Sequence, residues 1–74
     1  MTEQTMWRIL DAWREDKRRV AAKVRNRMAM GNSYRITRYP TLRKLLTKLH
    51  QQHTRQFNVR WFIDGVEVVD ETIV

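Results

Sequence analysis

The chain has 74 residues, no cysteine, two glycines and one proline, and its 15 Lys and Arg outnumber 8 Asp and Glu for a formal charge of +7. This is one small domain spanning residues 1–74, whose single core contributes only a few kcal/mol; with no Cys, neither a disulfide nor a thiolate metal site can staple it, which makes self-association into a homodimer one source of support. A hydrophobic fraction of 42% with three Trp excludes a disordered basic tail. No run approaches the roughly 18 apolar residues of a membrane span, and the opening MTEQTMWRIL has an acid where a secretory leader needs positive charge, with no small-residue cleavage site after an apolar run, so a cytoplasmic location is expected.

From about Thr5 to Met30 the apolar seam Met6, Leu10, Trp13, Val20, Val24 and Met28 repeats at helical spacing, widened by Ile9 and Ala21 and interrupted at Lys17. The spacing predicts one long helix, ended by Gly31 and Asn32 as left-handed capping residues. Glu15 with Arg19 at i,i+4, and Asp11 with Arg14 and Asp16 with Arg19 at i,i+3, compensate charge in its first half. Tyr34 to Tyr39 alternates as a short strand that Pro40 ends.

Thr41 can cap a second helix in which Leu42, Leu45, Leu46, Leu49 and His53 share one face and Lys44, Lys48, Gln51 and Arg55 the opposite one. Beyond Arg55 the period falls to 2. Phe57, Val59, Trp61 and Ile63 alternate with Asn58, Arg60 and Phe62, and Asp64-Gly65 is the signature of a two-residue type I′ hairpin. That turn sets Ile63 opposite Val66, Trp61 opposite Val68 and Phe62 opposite Glu67, and Thr72 to Val74 can extend the second strand. The expected fold class is α+β: a long N-terminal helix, a short strand, a second, basic helix and a C-terminal β-hairpin, forming a small antiparallel sheet packed on the helices.

Between Lys17 and Ile63 lie thirteen Lys or Arg residues and no Asp or Glu, while all eight carboxylates fall outside that block. A surface that only needed solubility would mix the signs, so the block points to a polyanionic partner, nucleic acid first. Arg43, Lys44, Lys48 and Arg55 are the expected central phosphate contacts, on a helix of the width a major groove accepts. Gln51 and Gln52 can each read an adenine edge with two hydrogen bonds. Arg25, Arg27, Arg35, Arg38 and Arg60 form the flanks. The plainer account of these residues is a solvated outer helix face. Neutralising about six phosphates gives a log affinity against log salt slope near −5. The four carboxylates after Ile63 either pair with the basic block or mark a charged edge strand that discourages aggregation.

The order of helix, basic helix and hairpin is similar in outline to winged-helix DNA-binding domains, among them small basic excisionases of mobile elements. The resemblance implies duplex DNA as partner and a regulatory or accessory role.

A protein partner, with the chain acting as inhibitor or adaptor of a host enzyme, is the second reading: Trp7, about 100° off the seam, and Trp13 are its anchors. The plainer account of both is ordinary core packing. His50 and His53 are three apart with no Cys or carboxylate beside them in sequence, so structural histidines are expected rather than a metal pair. A ribonuclease would need an oriented histidine with an acid and a cation close by. No nucleophile motif, phosphate loop or metal signature is present, so neither catalysis nor a cofactor is expected. An anionic membrane surface ranks below nucleic acid, because the Leu stripe is needed by the core.

Overall fold

The computed structural model describes residues 1–25, 33–54 and 59–69. Helix α1 (Glu3–Glu15) begins at Thr2, whose Oγ1 accepts a hydrogen bond from Thr5 N at 3.2 Å. It ends at Asp16, which is extended at φ −156° and whose amide still donates to Ala12 O at 3.0 Å. Asp16 also opens the next element, because its Oδ1 accepts from Arg18 N at 2.9 Å and starts a single 3₁₀ turn over Lys17–Arg19.

The chain then extends as β1 (Val20–Arg25). The long helix expected over 5–30 therefore stops at its midpoint. Val20 and Val24 are four apart, a spacing that serves a helix face and a strand face equally, and the β-branched pair with Ala22 between them takes the strand. The expected end of that helix at Gly31 and Asn32 lies outside the described residues.

Strand β2 (Tyr34–Arg38) follows, then α2 (Leu42–Thr54), β3 (Val59–Ile63) and β4 (Val66–Glu67). All pairings are antiparallel, in the order β2-β1-β3-β4. The fold is α+β, two helices with a four-stranded antiparallel sheet. Thr41 caps α2 as expected, its Oγ1 accepting from Lys44 N at 3.3 Å. Asp64 at φ 52° and Gly65 at φ 78° make the hairpin turn; two positive φ angles in succession are what a type I′ turn requires. Ile63 pairs with Val66 and Phe62 with Glu67, and Val68 N donates to Trp61 O at 2.9 Å.

One core joins both helices to one face of the sheet. Ile9, Leu10 and Ala12 of α1, Val20 and Ala22 of β1, Leu45 and Leu49 of α2, and Val59 and Trp61 of β3 are buried together with Tyr39. Fully burying a side chain such as Leu45, Ile9 or Val20 contributes about 1.5–3 kcal/mol. Three side-chain donors at the rim of this core are matched. Trp13 Nε1 donates to Tyr39 O at 2.7 Å, Trp61 Nε1 donates to Gln52 Oε1, and Gln52 Nε2 donates to Val59 O at 3.4 Å. The Tyr39 and Trp61 rings lie 5.5 Å apart. Asp64 N donates to Arg19 O at 2.9 Å, fixing the hairpin against the 3₁₀ turn.

Candidate nucleic-acid interface

Because α2 lays Leu45 and Leu49 into the core, the residues about half a turn away must face outward. Arg43, Lys44 and Gln51 are exposed and Lys48 half-buried, and together with Arg38 of β2 they line one groove between the edge strand and the helix. None of the described residues lining it is acidic. At its inner side lies Thr37, which pairs with Ala22 and so points to the helix-covered face. Its Oγ1 is buried and has no hydrogen-bond partner among the described residues. An orphaned buried hydroxyl costs about 1–3 kcal/mol.

The flanking cations divide. In the register, Arg38 and Arg60 share the sheet's outer face with Lys23 and Arg25, whereas Arg35 pairs with Val24 and emerges at the exposed edge of β2. Arg60 is held by Glu67 through two hydrogen bonds of 2.8 and 2.9 Å. This contact holds the Glu67 carboxyl below the usual carboxylate range and raises the Arg60 guanidinium. Arg19 bridges Glu15 and Asp64, the latter at 2.9 Å, and Arg18 pairs with Asp16 at 3.2 Å, lowering the Asp16 carboxyl. The expected pairing of Asp16 with Arg19 is thus replaced by Asp16 with Arg18, while Asp11 and Arg14 stand 3.9 Å apart. Arg38 donates to the backbone oxygen of Arg18.

Two of the late carboxylates, Asp64 and Glu67, therefore do pair with the basic block, and Glu67 also sits on the edge strand β4. None of these carboxylates is among the described residues lining the α2 groove. Gln51 lines that groove, but Gln52 is turned inward and engaged with Val59 and Trp61. Arg27 and Arg55 lie outside the described residues. Thr37 was invisible as a site residue in the sequence, since a threonine in a strand has no distinguishing signature. Phe62 had one: it breaks the polar side of the β3 alternation.

Trp13 belongs to the core rim, tied to Tyr39, whose hydroxyl is raised by burial. Trp7 is 49% exposed and lines a second, largely apolar groove with Met6 and Leu10 of α1 and Leu46 and Leu49 of α2. Among the described residues no group of three His, Cys, Asp or Glu side chains is placed to hold a metal ion, and no helix is long and apolar enough to cross a membrane. Comparison of the chain with protein-family models, with curated proteins and with solved structures finds no match in any of the three.

Proposed function

We propose that this chain is a small nucleic-acid-binding protein that binds without catalysis, with duplex DNA the favoured partner. The observation that carries the reading is the groove where Arg43, Lys44 and Lys48 of α2 come together beside Gln51, with no acidic side chain among the described residues that line it. Cations spaced along one exposed helix face suit a phosphate backbone, which runs as a continuous line of charge. The exposed face of α2 then lies along the major groove, Gln51 being the side chain able to read a base edge.

Reversing charge at two central positions, Lys44→Glu with Lys48→Glu, should weaken duplex binding at least a hundredfold in a fluorescence-anisotropy titration, by analogy with losing several phosphate contacts. Unchanged affinity would overturn the reading. A protein partner is the second reading, favoured by exposed Trp7 and Leu46 beside one apolar groove. It predicts the reverse pattern, with Trp7→Ala abolishing capture of that partner and the Lys44 and Lys48 reversals leaving it intact.

A further inference from the structure

The helices cover one face of the sheet; the other carries a second constellation. Its register forms rows across the strands. Arg38, Ala21, Phe62 and Glu67 make one, Ile36, Lys23 and Arg60 the next, and Tyr34 and Arg25 the third. Among the described residues this face thus holds four cations and one carboxylate, and that carboxylate is held by Arg60.

Its apolar members are not needed by the core. Ile36 is 64% and Tyr34 44% exposed. Ala21, the one small side chain among them, floors a basin of about 440 Å³ walled by Phe62 and Ile36 and rimmed by Arg18, Lys23 and Arg38. That volume is within the roughly 300–1,000 Å³ of small-ligand sites. Asp64 at the margin is already paired with Arg19. Lys23 Nζ and the Arg60 guanidinium sit over the Phe62 ring, 5.0 and 5.7 Å from its centroid; both come from the neighbouring row, and Phe62 lines the basin together with Ala21.

We propose that this basin takes an unpaired base of single-stranded nucleic acid, stacked on Phe62 with its flanking phosphates on Arg38, Arg18 and Lys23. The charge selects a polyanion, and the aromatic wall over a small floor selects one that also presents a flat π-face. A second copy of this chain does not fit, because a face-to-face pairing would set Lys23, Arg25 and Arg38 against the same cations. Arg38 turns its side chain to this face, on the edge strand that also borders the α2 groove. The inference rests on the nucleic-acid reading but concerns a different ligand group, the base rather than the phosphate.

The test compares a labelled oligothymidylate with an abasic strand of equal length, which keeps the phosphates and lacks the bases. The wild-type protein should bind the oligothymidylate about tenfold or more tightly than the abasic strand, the gain expected of one stacked base. Phe62→Leu should erase the difference and Phe62→Trp restore it. Ala21→Leu should also erase it, by filling the floor without touching a charge. Circular dichroism checks that the variants fold. Equal affinity of wild type for the two strands would overturn the proposal, and so would a preference that survives both Phe62→Leu and Ala21→Leu. If both strands bind equally and still depend on Lys44 and Lys48, the phosphate-binding reading stands and the base site falls. If neither strand nor duplex binds, both fall.

Discussion

The two faces of the four-stranded sheet are made by the same strands and have little else in common. Along β1, Val20 and Ala22 turn to the helices and are buried, while Ala21, Lys23 and Arg25 turn away; along β3, Val59 and Trp61 turn in while Arg60 and Phe62 turn out. On the covered face nearly every side chain is accounted for by burial. On the open face burial explains little, since Ile36, Tyr34 and Phe62 stand among cations in a setting where polar residues would be cheaper in solubility. The contrast separates a face that burial explains from one that it does not: one residue of register divides the two, because the side-chain period of a strand is 2.

The covered face should break first and hardest. Leu45→Ala removes a fully buried side chain from the meeting point of α2 and the sheet, and should cost about 2–5 kcal/mol in a denaturant titration, a large fraction of what a domain this small holds. A cost under about 1 kcal/mol would mean that α2 is not anchored as described. An intermediate effect, opposite in sign, is expected from Thr37→Val. Removing a buried hydroxyl that has no partner among the described residues should leave the denaturation midpoint unchanged or raise it by the equivalent of about 1 kcal/mol. Clear destabilisation would show that the hydroxyl is hydrogen-bonded after all.

The smallest effect belongs to the exposed ion pairs. Asp16 and Glu67 are lowered by their hydrogen bonds to Arg18 and Arg60, so each titrates at lower pH in the folded chain than in the unfolded one. The stability they add is complete above the ordinary carboxylate range and is lost as pH falls through that range toward the folded-state values. Because both pairs lie at the surface, Asp16→Asn with Glu67→Gln should flatten the acid limb of the stability profile only slightly. A large loss of stability at neutral pH would show that these pairs hold the fold rather than decorate it.

Much of this architecture was legible in the residues. Thr41, the stripe Leu42, Leu45, Leu46 and Leu49, and Asp64-Gly65 each carry a local signal that no tertiary contact overrides, and the cap, the buried pair Leu45 and Leu49 and the turn all stand where those signals put them. The second half of the first helix was not legible, because Val20 and Val24 satisfy both periods and only sheet pairing decides between them. Lys17 breaking the seam and Asp16 beside it were the available hints, since an Asp at a helix end can equally begin a new turn.

The candidate site was legible as charge and illegible as geometry. Arg43, Lys44, Lys48 and Gln51 emerged from helical spacing alone. That Gln52 points inward follows from Trp61 needing an acceptor, and that Arg38 stands on a strand bordering both surfaces follows from the position of β2 at the sheet edge. Both are consequences of packing that a linear pattern does not contain.

The most direct test of the cationic groove is the salt dependence of wild-type binding to a short DNA duplex, from about 50 to about 200 mM salt. With four to six phosphates engaged, log affinity should fall against log salt with a slope between about −3.5 and −5.5. A slope near zero would contradict the account, because no surface built from Arg43, Lys44 and Lys48 can hold a phosphate backbone without displacing its counterions.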